Sequence, residues 1–391
     1  MYNDEPDDDD IDYATHLFPN TIWIHKPFSE IIMKTSIILP VVVLGIFGNI
    51  LIIHVLIHNR PMRTPTNLLI GNMAAADLLS LLIHPWVIMI YESFQNYELG
   101  PIVCRGESAV ECSVLIASVI SMSAITYDRL TAIVLPKETR LTLKGARIVM
   151  VITWLTGVLL SIPITLYRQY KERHWKNFVE MYCTENTLII NIYWYVMITV
   201  LVWLPLSIQI ICYISIFIKL NKYEKVVQES LQNQHVSYKK RAARMMFVVT
   251  IMFMICRLPF TGLIIYRHQL IESKELGSNN NIMNQTKGGY HTLWFISKYL
   301  MYVNSSLNPI IYGVTNEKFR KAFKITEFSK WLFPSSDIIT TKTNCHMKAT
   351  QETSTRLSIF VFFKRKLKIQ EELGMGKKKE STEKSGCIVY K

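Results

Sequence analysis

Seven stretches dominated by apolar residues, near 36–57, 66–90, 104–127, 148–166, 188–218, 243–266 and 291–313, recur along this chain at short intervals. Each approaches or exceeds the roughly 20 residues that a helix needs to cross about 30 Å of hydrocarbon. Lipid offers backbone amides no partners, so a spanning segment must satisfy them internally, as a helix does. Half of the 391 residues are apolar and 19% are charged, a composition too greasy for a soluble chain of this length. The expected fold is an all-α membrane protein, a bundle of seven transmembrane helices.

The charges orient it. Residues 4 to 12 hold seven acids and no base, so the rest of the chain carries +20 of the net +13. Bases crowd the other side: Arg60 and Arg63 after the first stretch, Lys137, Arg140, Lys144 and Arg147 after the third, and Lys219, Lys222, Lys225, Lys239, Lys240 and Arg241 around the fifth-to-sixth connection. By the bias of basic loops towards the cytoplasm, these loops are inside and the acidic N-terminus is outside. Bases beside spans hold topology and meet anionic lipid, so the charge does not indicate a nucleic-acid partner. No cleavable signal is legible after Met1, and the first span is expected to direct insertion. The resulting division is an acidic outer tail (1–35), a seven-span body (36–315), a short segment (316–323) and a basic inner tail (324–391).

Of the seven cysteines, Cys104 and Cys183 fall on the oxidising outer side and form a natural disulfide pair. Cys112, Cys212 and Cys256 lie in spans as small packing residues, and Cys345 and Cys387 are cytoplasmic. The sequon at Asn284 falls outside and is a glycosylation candidate, whereas the one at Asn304 lies within the bilayer, beyond reach of that modification.

Polar groups inside lipid are expensive and tend to face the bundle or carry function. Asn49, Asp77, Ser118, Asn304, Ser305 and Asn308 would all come near mid-membrane in antiparallel neighbouring helices. A lone carboxylate among hydroxyl and amide oxygens reads equally as a hard-cation or water site and as hydrogen-bonded glue between helices. Pro85, Pro163, Pro205, Pro259 and Pro309 each remove a helical hydrogen bond, which permits a hinge but is also common in spanning helices.

With these residues in place the chain resembles a rhodopsin-like (class A) G-protein-coupled receptor. The resemblance runs from Gly48-Asn49 to Phe323 and is carried by Asn72 and Asp77, Cys104 with Asp128-Arg129, Trp154, Pro205 with Tyr213, Phe253 to Pro259, and Asn308-Pro309-Ile310-Ile311-Tyr312. It implies a ligand pocket between the outer helix halves and a heterotrimeric G protein on the inner face. It also implies an allosteric sodium ion held by Asp77, Ser118, Asn304 and Asn308, with no other cofactor and no enzymatic activity. Asp128, Arg129, Tyr213, Phe253, Pro259 and Tyr312 resemble the family's activation switch. Residues 316–323 resemble its short amphipathic helix, a reading that Phe319 and Phe323, four apart with bases around them, support unaided.

Three positions depart from the pattern. Leu130 replaces an aromatic residue after Arg129, Lys239 stands where some members carry the acid that locks the sixth span to Arg129, and Arg257 stands where the family has a tryptophan. A cation at Arg257 needs a partner. Glu111, two helical turns below Cys104, offers one, and it also matches the acid with which amine receptors bind an ammonium, with Tyr302 in support. Met197, Ile198 and Leu201 replace the serines of catecholamine receptors, and Lys298 is about one turn from the retinal lysine position of opsins. Glu111, Arg257, Lys298 and Tyr302 are therefore the ligand-site candidates, with an internal Glu111–Arg257 pair and a direct ligand contact both open.

The outer segment Arg168 to Lys176 is long, basic and aromatic, and opposite it stands an acidic tail whose Tyr13 resembles a sulfation site. Such surfaces suit an extended peptide, and the text around Asn308 looks most like neuropeptide receptors. The expected function is reception of an extracellular neuropeptide at the plasma membrane; the alternatives are a biogenic-amine or other small cationic ligand and, more distantly, a seven-span transporter, although no internal repeat supports that. In the inner tail, the hydroxyls from Thr340 to Ser358 suit phosphorylation and an arrestin-like partner, and Ile359 to Lys368 suits the lipid surface.

Overall fold

The computed structural model describes residues 13–19, 21–135, 140–185, 193–226, 233–275 and 280–325. The acidic run 4–12, Asn284 and the hydroxyl and basic segments beyond 325 lie outside the described residues or side chains. Seven long helices are described: α1 (Phe28–His58), α2 (Pro65–Ser93), α3 (Gly100–Ile133), α4 (Leu143–Tyr167), α5 (Leu204–Val226), α6 (Asn233–Glu275) and α7 (Asn280–Thr315). A short α8 (Glu317–Ile325) follows. Six of the seven, with α5 extended back to Tyr193, are long and apolar enough to cross a membrane. Polar Lys298, Asn304, Ser305, Ser306 and Asn308 dilute the seventh, yet α7 packs on α1, α2 and α6 as part of the same bundle.

Local chemistry sets several helix starts. Thr64 caps α2 by accepting from Asn67 N at 3.2 Å, with Pro65 ready in the first turn, and Thr142 caps α4 by accepting from Gly145 N at 3.0 Å. Gly100, at φ +70°, turns the chain into α3 in a conformation that a side chain would disfavour. Immediately before α5, a π-helical segment, Met197–Trp203, closes with Leu204 N on Thr199 O. Pro205 explains it: with no N–H for the Leu201 carbonyl and a ring that crowds it, the ladder widens by one residue there.

Burial is inverted relative to a water-soluble protein. Leu44, Val151, Leu159, Ile211, Ile218, Leu258 and Val314 face outwards, while Asn49, Asn72, Asp77, Ser121, Thr153 and Asn308 are buried. Apolar side chains lose nothing by facing lipid, so the polar groups gather where they can bond one another. The inner half of the bundle closes around Ile52, Leu69, Met73, Ile125, Tyr213, Phe253 and Tyr312.

Outside the bundle, β1 (Arg168–His174) and β2 (Val179–Glu185) form an antiparallel hairpin with Tyr170 opposite Cys183. A Cys104–Cys183 disulfide, Cα–Cα 5.8 Å, ties β2 to the outer end of α3. Met181 O accepts from Tyr97 N at 2.9 Å, joining the hairpin to the α2–α3 connection. The N-terminal segment lies against the hairpin. Tyr13 and Phe18 pack on Trp175, Arg173 stands 4.6 Å over the Tyr13 ring, and Phe18 N donates to Asn177 Oδ1 at 2.8 Å.

Helices α3 and α4 approach closely at Gly157, where an added Cβ would lie 2.8 Å from the Ser113 carbonyl oxygen and 3.0 Å from its Cα. Backbone cannot swing aside as a side chain does. Gly157→Ala is expected to destabilise the protein by about 1–3 kcal/mol, the usual range for overpacking, whereas Gly262→Ala meets open space and should be tolerated far better. Melting temperatures of the two purified variants check this, and equal values would contradict it.

Candidate functional site

Two acids one helical turn apart, Glu107 and Glu111, project from α3 into the outer half of the bundle, and both are buried. Lys298 of α7 donates to both Glu111 oxygens, at 2.7 and 2.9 Å. The same ammonium lies 4.9 Å from the Phe260 ring centre and 5.2 Å from that of Trp294, so aromatic faces shield the pair. Glu107 stands 3.3 Å from His84 Nδ1 of α2 and 3.5 Å from the Arg168 guanidinium of β1, and it accepts from Ser108 Oγ at 3.3 Å. The His84 contact has ion-pair distance without hydrogen-bond alignment.

The expected Glu111–Arg257 pair is not formed. Lys298 reaches Glu111 because its long stem crosses the cavity from α7, and it uses both oxygens. Arg257 lies over the Phe253 ring at 5.4 Å, and its Nε is buried without a hydrogen-bond partner. Tyr302, fully buried beside Leu81 and Ile88, likewise leaves its hydroxyl without one. Thus, of the four ligand-site candidates, Glu111 and Lys298 meet directly, while Arg257 and Tyr302 are placed without a hydrogen bond to either.

Deeper in the bundle, Asn308 Nδ2 donates to Asp77 Oδ2 at 2.7 Å, and Ser305 lies beside the same carboxyl. Ser118 and Asn304 are buried but make no hydrogen bond to it. Asn49 Nδ2 binds α1 to α7 through Ser305 O at 3.0 Å. Asn72 joins three helices, donating to Ser121 Oγ at 2.9 Å and Thr153 Oγ1 at 3.1 Å and accepting from Trp154 Nε1 at 2.9 Å.

At the inner end, Arg129 pairs with Asp128 of its own helix at 2.7 Å. Thr66 of α2 donates to the same Asp128 oxygen at 2.7 Å and accepts from Arg129, closing a three-residue ring. Thr126 Oγ1 reaches the Tyr213 hydroxyl at 3.1 Å. Phe253 and Tyr312 are buried in the surrounding core, with Tyr312 leaving its hydroxyl without a partner. The bases of α6 look elsewhere: Lys240 to Glu224 at 2.6 Å and Arg241 to Glu317 of α8. In α8, Asn316 caps the first turn, and Phe319 and Phe323 pack against the inner core.

Sequence reasoning missed His84, Glu107 and Thr66. The first two carried a signal, since Glu107 precedes Glu111 by four and His84 follows Asp77 by seven, each on the face already singled out. Thr66 carried none, because a threonine in an apolar helix says nothing of a partner 62 residues away. Outside the helices, Tyr97 is packed under the hairpin, and burial pushes its hydroxyl up to about 12, so it stays neutral at physiological pH.

The chain matches the model of the 7 transmembrane receptor (rhodopsin family) over residues 48–312. It is 26% identical over 349 residues to neuromedin-U receptor 2 of Rattus norvegicus, covering 81% of this chain and 86% of that one. Identity to neuropeptide FF receptor 2 of Rattus norvegicus is 28%, over 77% of this chain and 74% of the relative. Human neuropeptide Y receptor type 2 is 25% identical, over 80% of this chain and 83% of its own length. These matches displace the transporter alternative. The family match runs from within α1 to within α7, over well more than half of the chain, so this multi-pass membrane protein belongs to the 7 transmembrane receptor (rhodopsin family), a family of receptors and not of enzymes.

Proposed function

We propose that this receptor takes an extracellular neuropeptide between the hairpin and the outer helix halves and activates a heterotrimeric G protein at its inner end. The observation that carries the reading is the state of Glu111: both oxygens are taken by Lys298, so the cavity offers no bare carboxylate to an amine. A small cation would have to displace a buried ammonium of equal charge. A peptide gains affinity instead from many polar contacts across the basic, aromatic hairpin. The relatives named for neuropeptides point the same way. A peptide-library screen on cells expressing the full chain, read with several G-protein sensors beside a panel of biogenic amines, tests it; a response to amines alone would replace this reading.

Arg129 is the switch. At rest it is held by Asp128 and Thr66, and on activation it turns to the G protein. Asp128→Asn removes the charge that holds it and is expected to raise ligand-independent signalling several-fold at equal surface expression. Unchanged basal signalling would sink the lock.

Asp77 with Ser118, Ser305 and the side-chain oxygens of Asn304 and Asn308 offers the hard donors that suit sodium. An ion that prefers the resting receptor lowers agonist affinity. Replacing external sodium with a large organic cation should therefore raise agonist affinity in the wild type and leave Asp77→Asn unmoved; a sodium-independent wild type contradicts the site. The plasma membrane as location, the N-terminus outside, an arrestin-like protein on the phosphorylated inner tail, and lipid beside α8 complete the proposal.

A further inference from the structure

We propose that Arg257 is a carboxylate-binding subsite on the inward stripe of α6, so that the ligand presents a free carboxylate to it. The inference deepens the peptide reading and rests on it only for where that carboxylate comes from.

Position comes first. Ile255 and Leu258 on α6 face outwards, at 55% and 60% exposure, whereas Phe253, Cys256 and Leu263 are buried. Arg257 belongs to the inward stripe that Phe253 and Phe260 mark at i−4 and i+3, and it remains partly accessible there. The stripe faces the bundle, where Phe253 joins the inner core and Phe260 packs against Trp294 of α7.

Next is the fate of the neighbouring acids. Glu111 spends both oxygens on Lys298, Glu107 is engaged by His84, Ser108 and Arg168, and Asp77 accepts from Asn308. Among the described residues, no carboxylate stands within ion-pair distance of Arg257. Its Nε is buried with no acceptor, and the Phe253 ring at 5.4 Å offers a face but no lone pair. Glu111 and Asp77 act on the guanidinium only through space, which leaves its hydrogen-bonding demand unmet.

A guanidinium is a planar fork of five donors that cannot shed its proton, and the group that matches two of those donors at once is a carboxylate. An ammonium is repelled, and a neutral amide supplies one acceptor where the fork calls for two. Peptides bring carboxylates from two sources, the free C-terminus and Asp or Glu side chains.

The test begins with fragments. Full-chain receptor purified in nanodiscs is melted with millimolar N-acetylglycine or with N-acetylglycinamide, at matched ionic strength. The acid is expected to raise the melting temperature and the amide not to; Arg257→Gln should abolish the difference and Arg257→Lys keep part of it. Equal shifts from acid and amide, or an acid-specific shift that survives Arg257→Gln, overturn the subsite. Should Arg257→Gln fail to fold, Arg257→Lys carries the comparison, and an undiminished shift there overturns it as well.

Peptides that signal then separate the sources. Each is remade with an amidated C-terminus, and separately with Asp and Glu changed to Asn and Gln. One of the two changes should lower potency about 10- to 100-fold in the wild type, the range expected for a charged hydrogen-bonding contact, and much less in Arg257→Lys. Potency indifferent to both overturns the subsite. An acid-specific, Arg257-dependent melting shift in a receptor that no peptide activates leaves the subsite standing and removes the peptide reading.

Discussion

Removing either Glu111 or Lys298 alone is expected to destabilise the receptor by about 3–5 kcal/mol, the range for leaving one charge of a buried pair uncompensated. Both residues are buried, at 8% and 5% exposure, and the ammonium bonds both carboxylate oxygens, at 2.7 and 2.9 Å. Glu111→Gln keeps the shape and strands an ammonium, while Lys298→Met keeps the stem and strands a carboxylate. The double variant strands neither, so it should recover most of the loss. Melting temperature and surface expression of the four receptors measure the coupling. Additive losses would show that the two groups do not act as a pair. The same cycle run on Glu111 with Arg257 is expected to show much weaker coupling, because those two share a field and no hydrogen bond.

Loss of the Cys104–Cys183 bridge should have the next largest effect. It spans a sequence separation of 79 residues and pins β2 to the outer end of α3. A native bridge removed from a small secreted domain costs about 2–5 kcal/mol, and the loosened chain here includes the whole β1–β2 hairpin. Further links depend on that placement: Arg168 to Glu107 at 3.5 Å, Tyr97 N to Met181 O at 2.9 Å, and the packing of Tyr13 and Phe18 on Trp175. Cys104→Ser, Cys183→Ser and the double variant are expected to lose surface delivery and peptide response to nearly the same degree, since one bond is broken in each. A double variant much worse than either single one would mean that the cysteines contribute separately. Tyr97→Phe offers a contrast. Its backbone N–H, not its hydroxyl, holds the hairpin, so that change should be mild.

Much of the site was legible because lipid makes polar residues conspicuous. Asp77 and Asn308 stand out in apolar text, and antiparallel packing of neighbouring spans brings them to one depth, where they meet at 2.7 Å. Asp128 and Arg129 are adjacent in the chain, so their pairing needed no knowledge of the fold. The two lone outer cysteines had only each other. The choice of partner for Glu111 was a different matter. Arg257 and Lys298 both come from helices across the cavity, and sequence spacing fixes the height of a side chain along its own helix but not its reach across to another.

The sequence by itself determined the solvent, the seven crossings and the depth of the buried polar residues, since all of these follow from the cost of exposing polar groups to hydrocarbon and from 1.5 Å of rise per residue. Only the tertiary structure decided who bonds whom between helices. Helix rotation and the length of each side chain set those distances, and a buried charge takes the nearest partner with the right geometry. That is why Lys298 closes on Glu111, why Thr66 completes the ring at Arg129, and why the Arg257 Nε is left without an acceptor.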